Sequence, residues 1–311
     1  MTMSQSEQSV IDAIFAYSDE RRSDLSPNKR IAYYTTADTA LRIIQNKTFW
    51  LRNPQLMNDF EEVLHGRRCL NEVLFEPEVL QAASAAIDAV FPGTYASLTQ
   101  TWLSLDTTGH DLPFVACLSE IHKDDDRGRL SMWRAYGGDN GVALVMRESM
   151  LDLDSAFVNT FHSPVLYGDA GDVKNRVLAI FSKLAAIPDS VNEFGRKALE
   201  QALVRALQFA MLSIKHVGFE EEREWRMIHH YVAEADHHQY QSQVVRGNAQ
   251  VICAINLASH PQLTPNVMFE KVIIGPCMFP EAAAQAFRLA LSKGGVDKPE
   301  IVISDIPLRH I

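Results

Sequence analysis

The sequence predicts an α+β protein in which strands are scattered along the chain and helical blocks lie between them. Short runs of β-branched and aromatic residues predict the strands, and apolar residues at helical spacing predict the helices. Two long helical blocks, at 72–104 and 172–216, account for length beyond a compact sheet domain. We therefore predict a single domain that spans residues 1–311, with an N-terminal helical extension at 1–28 and helical insertions at 72–104 and 172–216. The same pattern argues against a doubly wound parallel sheet.

The first elements follow from local signals. Apolar residues at helical spacing predict a helix over 10–17, and a β-branched, aromatic run predicts a strand over 31–36. A helix follows at 37–46, and Asn53-Pro54 stops a second strand at 48–52. Breaks are expected at 91–93 and 187–190 inside the helical blocks, and Gly294-Gly295 ends a helix over 282–293. Further strands are predicted at 114–119, 142–146, 165–167, 224–228, 250–255, 271–275 and 300–304.

Composition limits the classes of protein that the chain can represent. Hydrophobic residues make up 47% and charged residues 22%, which is typical of a globular protein and excludes a largely disordered one. The formal charge of −10 argues against a protein that wraps nucleic acid or rests on an anionic membrane. We expect a cytoplasmic protein without a membrane span, whose four widely spaced cysteines are buried and reduced.

The first two blocks of interest precede residue 63. Tyr33, Tyr34 and Thr35 end the first predicted strand and can hydrogen-bond a polar ligand, although the same residues also suit an ordinary amphipathic strand. A second block contains three polar or acidic side chains, Asn58, Asp59 and Glu62. These either hold a loop over a cleft, or Asn58 or Asp59 caps a helix that starts at Phe60.

The third block joins a strand to an aromatic segment. Cys117 and Ser119 end the strand, and Trp133 and Tyr136 share one face if their segment is helical. Aromatic rings there can stack on a base or a nicotinamide, whereas the alternative is packing in the core. The chain contains neither GxGxxG nor a Walker-type GxxxxGK[ST] loop, so the common nucleotide-phosphate loops are absent from the sequence.

The fourth block is Glu220-Glu-Glu-Arg-Glu-Trp-Arg226. If a strand begins at Glu222, then Glu222, Glu224 and Arg226 share one face. Such a set can bind ribose hydroxyls or stabilise a cationic transition state, and the alternative is a solvated charge run.

Other polar residues are assigned no site. The histidines at 229, 230, 237 and 238 lack the HExxH pattern and favour a polar hairpin or loop, so no metal site is predicted. Cys117 or Ser119 as a nucleophile would need a base, and nothing in the sequence pairs one with it.

Taken together, the four blocks resemble a widespread bacterial family of domains of unknown function. That family combines Y-H-Y-T, N-D-P-x-E, C-x-S with M-W-x-x-Y, and E-x-E-[YW]-R elements, and the resemblance extends over roughly residues 30 to 280. Three positions depart from it: Ala32 replaces the first Tyr, Tyr33 replaces His, and Phe60 replaces Pro. The family is in turn similar to ADP-ribosyltransferase-like folds, in which two small, mainly antiparallel sheets flank an NAD-binding cleft.

The resemblance implies NAD as a substrate without a metal, and a macromolecular acceptor or water. It implies Glu224 as the first choice for the catalytic carboxylate and Glu222 as the second choice. Residues implied to line the NAD site are Tyr33, Tyr34, Thr35, Ser119, Trp133, Tyr136 and Arg226, with Asn58, Asp59 and Glu62 in support. The proteins with which the family is associated imply a role as a toxin or in phage defence.

Two other functions stay open at this point. The first is a non-catalytic binding protein on the same fold, which Tyr33 in place of His favours. The second is an enzyme acting on nucleic acid, for which a local basic cleft is needed. The candidate arginines for such a cleft are Arg127, Arg129, Arg134, Arg223 and Arg226.

Overall fold

The computed structural model describes residues 3–25, 28–56, 60–105, 113–147, 150–151, 160–234, 237–245, 247–296 and 299–307. It shows a mixed α and β architecture with a mostly antiparallel sheet. The chain forms two compact units: the first contains 1–24, 57–112 and 163–220, and the second contains 25–56, 113–162 and 221–311. Both predicted helical insertions fall in the first unit, as does the predicted N-terminal extension up to residue 24, while the division into one domain with insertions stays a prediction.

The first unit is mainly helical. Its elements are α1 (Gln5–Ser23), α3 (Phe60–Val73), α4 (Pro77–Ala83), α5 (Thr94–Ser104), β6 (Leu166–Tyr167), α7 (Ala170–Ala185), α8 (Pro188–Phe194), α9 (Arg196–Met211) and β7 (Ile214–Lys215). The predicted breaks are confirmed, because α5 starts after Gly93 and Pro188 begins a new helix. The block predicted from residue 72 begins earlier, at Phe60, and is interrupted again before Pro77, where proline occupies the first helical turn.

The second unit contains the main sheet. Its elements are β1 (Lys29–Thr36), α2 (Ala37–Asn46), β2 (Thr48–Arg52), β3 (Phe114–His122), α6 (Leu130–Met132), β4 (Gly141–Arg147), β5 (Thr160–Pro164), β8 (Glu224–His229), β9 (His238–Val245), β10 (Asn248–Asn256), α10 (Pro265–Met268), β11 (Phe269–Ile274), α11 (Pro280–Lys293) and β12 (Glu300–Ile303). The last two residues of β5, Ser163 and Pro164, belong to the first unit.

The main sheet has ten strands, and its branches meet at β3. One branch runs β12–β11–β4–β1–β3 and the other runs β3–β2–β10–β9, while β8 lies on the other edge of β3 and pairs with β5. β1 pairs with β3 only up to Ala32 opposite Ser119, and β2 meets β3 at Arg52 opposite Val115. β11 and β12 are parallel, unlike the other main-sheet pairs with a described register. The sheet therefore divides beside β3, where β1 and β2 diverge.

One face of the sheet packs on two amphipathic helices. Ile43 and Ile44 of α2 and Phe287 and Leu291 of α11 lie in one buried cluster with sheet residues such as Leu118. Burial of this apolar area is the main stabilising contribution to the unit. Within the residues described, no helix is both long and apolar enough to cross a membrane. The cysteines at 69, 117 and 253 are free and buried, as predicted, and Cys277 is half-buried.

Candidate functional site

The pairing of β3 with β8 brings two predicted site residues together. Ser119 lies directly opposite Glu224, and Cys117 lies opposite Arg226. Directly opposed residues of an antiparallel pair project to the same face, and alternate residues share that face. Ser119, Glu224 and Arg226 therefore face one side of the sheet, and all three are almost fully buried.

Glu224 and Arg226 form a buried ion pair. The Nε atom of Arg226 donates to Oε1 of Glu224 at 2.8 Å, and Nη2 lies 3.4 Å from Oε2. Both side chains are at most 2% exposed. A buried charge needs a partner of this kind, because desolvating it alone is very costly. The predicted common face of these two residues is confirmed, and the solvated charge run is wrong for them.

Glu222 occupies a different environment from the one predicted. The strand begins at Glu224, and Glu222 ends the 3₁₀ turn Val217–Glu222. Arg223, between them, has a left-handed backbone with a φ of 45°. Because of this turn, the carbonyl of Glu222 accepts from Ser119 Oγ at 2.6 Å, and that of Arg223 accepts from the Glu120 N–H at 2.9 Å. Glu222 contributes its carbonyl to the Ser119 environment, and the strand begins at Glu224, as predicted for 224–228, so Glu222 does not lie on it.

Arg129 belongs to the same cluster, although the sequence suggested it only for a basic cleft. Its Nη1 atom donates to Ser119 Oγ and, at 2.9 Å, to the carbonyl of Glu222. Its backbone N–H donates to the hydroxyl of Tyr34 at 3.1 Å. Burial lowers the pKa of Arg129, the charge of Arg223 lowers it further, and Tyr34, Asp125 and Glu120 oppose both effects. Ser119 thus donates to a carbonyl and accepts from a guanidinium, so its hydroxyl is held in one orientation.

Tyr34 and Trp133 support this cluster from within the core. Their rings meet edge to face with centroids 4.7 Å apart, and the Trp133 indole N–H donates to the Arg127 carbonyl at 2.9 Å. Three glycines lie so close to Trp133 that a Cβ would approach the ring to 2.6, 3.0 and 2.8 Å, at Gly128, Gly141 and Gly275. Trp133 is 1% exposed, so core packing describes its environment.

The other residues of the first and third blocks are placed differently. Ala32 is opposite Ser119, so strand alternation puts Tyr34 on the side of Ser119 and Tyr33 and Thr35 on the other side. Tyr33 packs edge to face on Phe49, with centroids 4.9 Å apart. Thr35 is buried and Tyr136 is half-buried. Tyr33 and Thr35 are therefore not brought to the face that carries Ser119 and Glu224.

The second block lies in the first unit. Asn58 and Asp59 lie outside the described residues, but the helix whose start they were predicted to cap does begin at Phe60. Glu62 forms an ion pair with the fully buried Lys215, with Oε1 and Nζ 2.8 Å apart. The same Nζ lies 4.8 Å from the centroid of Phe219. Glu62 thus has a structural role within its own unit.

Of the four histidines predicted for a polar hairpin or loop, two, His229 and His238, are buried in strands, whereas the other two are half-buried outside them. His229 ends β8 and His238 begins β9, with ring centroids 4.8 Å apart. The Tyr240 hydroxyl accepts from the Val232 N–H at 2.9 Å and lies 2.9 Å from Nε2 of His229, to which it can donate. In the described part of the chain, no group of three His, Cys, Asp or Glu side chains is arranged to hold a metal ion.

The environment of Tyr34 predicts a specific pH dependence. Burial raises the pKa of Tyr34 to about 12, against the hydrogen bond from Arg129 that lowers it. The folded state therefore retains this proton above pH 10, where the unfolded state loses it. The contribution of Tyr34 to the free energy of unfolding is constant below pH 10 and falls between pH 10 and 12. Two pKa units correspond to about 2.7 kcal/mol. Tyr34→Phe should lack this part of the alkaline loss in urea unfolding measured at pH 9, 10 and 11.

Two comparisons define the control for that experiment. Tyr231→Phe alters a tyrosine that is 70% exposed and should keep the wild-type alkaline slope. Burial also raises the pKa of Tyr95, which is present in all three proteins and so cancels between them. Equal slopes for wild type and Tyr34→Phe would contradict the prediction.

Comparison with known proteins supports one part of the resemblance. The model of a family described as "Protein of unknown function (DUF2971)" matches residues 132–227. The matched stretch contains Trp133, Tyr136 and the whole block from Glu222 to Arg226, whereas Tyr33 to Thr35 and Asn58 to Glu62 lie outside it. No curated protein and no solved structure matches the chain.

Proposed function

We propose that the protein is an NAD-dependent, ADP-ribosyltransferase-like enzyme that transfers ADP-ribose to a macromolecule or hydrolyses NAD. The observation that carries the proposal is the register of β3 and β8, which sets Ser119 opposite Glu224. Ser119 in the NAD site and Glu224 as the catalytic carboxylate are among the residues that the resemblance implies. Such a site requires at least that these two side chains lie on the same face of the sheet.

The chemistry gives the carboxylate a defined task. Cleavage of the bond between nicotinamide and ribose develops positive, oxocarbenium-like charge on the sugar. A fixed carboxylate that accepts from a ribose hydroxyl and faces that charge stabilises the transition state. Glu224 is the first choice because it lies on the Ser119 face, whereas Glu222 is placed in the preceding turn. The salt bridge to Arg226 holds its carboxylate in one orientation.

The branching of the sheet also supports the proposal. β1 leaves β3 after Ala32, and β2 contacts β3 opposite Val115, so two branches begin at neighbouring points of one strand. Two branches that diverge in this way are compatible with the pair of small sheets in ADP-ribosyltransferase-like folds. We propose that NAD binds beside β3, on the face that carries Ser119.

Incubation with NAD labelled in the ADP-ribose part tests the proposal. Wild type should release nicotinamide or transfer label to an acceptor, and Glu224→Gln should reduce the rate by about 100-fold or more. Glu281→Gln changes an exposed glutamate on α11 in the same way and should leave the rate unchanged. Circular dichroism at the assay temperature must show both variants folded. If wild type and Glu224→Gln are equally silent with NAD and varied acceptors, the proposal fails.

A non-catalytic binding protein is the second candidate. Tyr33, which replaces the usual histidine, packs against Phe49 on the face opposite Ser119, and Arg226 already neutralises Glu224. Both features favour binding without bond cleavage. Calorimetry with NAD and ADP-ribose separates the candidates, because binding without nicotinamide release supports this second function. An enzyme acting on nucleic acid is less favoured, since Arg127 is paired with Asp305 and Arg226 with Glu224.

A further inference from the structure

Two arginines adjoin the peptide that joins Glu222 to Arg223. Arg129 donates from Nη1 to the carbonyl of Glu222 at 2.9 Å, and the next residue in the chain is Arg223 itself. The charge of Arg223 is close enough to lower the pKa of Arg129 beyond the effect of burial. Arg129 therefore contacts Ser119 directly, and Arg223 follows the residue whose carbonyl Arg129 binds.

The charges of these two arginines lack a direct carboxylate partner. Among the residues that the structure describes, neither Arg129 nor Arg223 forms an ion pair with a carboxylate, although Asp125 and Glu120 act on Arg129 from farther away. Glu120 already accepts from the Trp225 indole at 2.8 Å. Other arginines of the second unit that do contact carboxylates are Arg30, Arg42, Arg127, Arg147 and Arg226.

Acidic residues outnumber basic ones in the chain, 39 to 29. Among the residues described, Arg129 and Arg223 nevertheless have no carboxylate in direct contact. Nη1 of Arg129 is occupied by Ser119 and Glu222, while Nη2 and Nε have no hydrogen bond within the described residues. Free donors of a partly buried guanidinium suit an anion with several oxygens, because arginine binds phosphate through two parallel hydrogen bonds.

The backbone of Arg223 is a second, independent observation. Its φ of 45° lies in the left-handed region, where a residue with a Cβ costs about 1–2 kcal/mol relative to glycine. Strained backbone of this kind concentrates at functional sites and ligand clamps. A glycine would relieve the strain but would lose the exposed guanidinium.

We propose that Arg129 and Arg223 bind the diphosphate of a nucleotide at the Ser119 face. Two adjacent guanidiniums match two adjacent phosphates, with one bidentate contact for each. A nucleic acid would need a longer series of free cations, and two of the five candidate arginines are paired with carboxylates. The inference rests on the proposed function, because NAD and ADP-ribose carry such a diphosphate.

Calorimetry of the full chain with ADP-ribose, inorganic pyrophosphate and adenosine tests this site. Arg223→Gly removes one guanidinium and accepts a φ of 45° without strain, so it should fold at least as well as wild type. We expect it to weaken ADP-ribose and pyrophosphate binding by about 10- to 100-fold, which corresponds to the loss of a charged hydrogen bond. Adenosine binding should not change.

Two further variants sharpen the result. Arg223→Lys keeps the charge and should restore part of the affinity, since an ammonium group binds phosphate without the bidentate fork. Arg288→Ala removes an exposed arginine from α11 and should behave as wild type. Affinity for ADP-ribose should also fall with added salt. Equal affinities of wild type and Arg223→Gly, or no binding of ADP-ribose and pyrophosphate to wild type, would overturn the inference.

The outcomes also separate this inference from the proposed function. Loss of ADP-ribose affinity in Arg223→Gly, with no NAD turnover in wild type, supports the diphosphate site and contradicts the enzyme. NAD turnover in wild type, with unchanged ADP-ribose affinity in Arg223→Gly, supports the enzyme and contradicts this site. Tighter binding of a single-stranded oligonucleotide than of ADP-ribose, abolished by Arg223→Gly, would replace the diphosphate ligand by a polyanion and overturn the inference.

Discussion

Replacing Glu224 with alanine should lower the free energy of unfolding by about 3–5 kcal/mol, and Arg226→Ala should cost a similar amount. The two groups meet at 2.8 Å and are almost fully excluded from water. Removing one takes an opposite charge away from the other in a buried environment, and that penalty exceeds the value of the lost hydrogen bonds. Guanidinium or urea unfolding of wild type and both variants measures the loss directly.

A double-mutant cycle identifies the ion pair as the cause. Glu224→Met and Arg226→Met are made singly and together, and the double variant, which lacks both charges, should be much more stable than the sum of the two single changes predicts. The exposed pair of Asp38 and Arg42, with side chains 73% and 48% exposed, provides the control. Arg42→Ala should cost less than about 1 kcal/mol. Additive losses at Glu224 and Arg226 would contradict a coupled pair.

Gly128→Ala should destabilise the protein by about 2–5 kcal/mol. The backbone of Gly128 has a φ of 71°, and an added Cβ would lie 2.6 Å from the Trp133 ring and 3.0 Å from the Tyr34 hydroxyl. The substitution therefore combines a left-handed backbone cost of about 1–2 kcal/mol with overpacking of about 1–3 kcal/mol. Both rings are buried, so neither can move into solvent to make room.

Gly93→Ala separates these two contributions. Gly93 is also left-handed, with a φ of 80°, but nothing lies within 4 Å of the position of its Cβ. It should show the conformational cost alone, about 1–2 kcal/mol. Thermal or urea unfolding of both variants measures the difference. Equal losses at Gly93 and Gly128 would show that the contact with Trp133 contributes nothing.

Much of the secondary structure could be predicted because local signals determine it. The helix at 37–46 and the strand at 48–52 have the predicted bounds, since the strand is an apolar run stopped by Asn53-Pro54. The last helix ends before Gly294, as its glycine pair indicates. These elements depend on residues within a few positions of one another.

The missed strand β9 shows what local signals leave out. Its sequence, His-Gln-Tyr-Gln-Ser-Gln-Val-Val, is polar at alternate positions, and only its first residue, His238, is assigned to a polar hairpin or loop. It is the terminal strand in the sheet order, and its described register is with β10, for example Ser242 opposite Val251. The backbone pairing with β10 stabilises it, and the ring of His229 on β8 lies 4.8 Å from that of His238, so both contributions come from other strands.

The candidate site was predicted in part for a similar reason. Alternation along β8 was enough to place Glu224 and Arg226 on one face. The choice between Tyr33 and Tyr34 depended on which residue of β1 lies opposite Ser119, and only the three-dimensional register supplies that. The roles of Arg129 and Arg223 depend on a left-handed turn and on a carbonyl 93 residues away along the chain.

Strand β3 also has a consequence for how the protein is made. Ser119 bonds to the carbonyl of a residue 103 positions later, so its environment is assembled from segments that leave the ribosome well apart in time. Contacts of such long range are closed late and slow the folding of a sheet. A nascent or truncated chain that ends before β8 exposes an unpaired edge of β3 and cannot form the site. An activity that depends on this face therefore requires a chain that has been synthesised at least through His229.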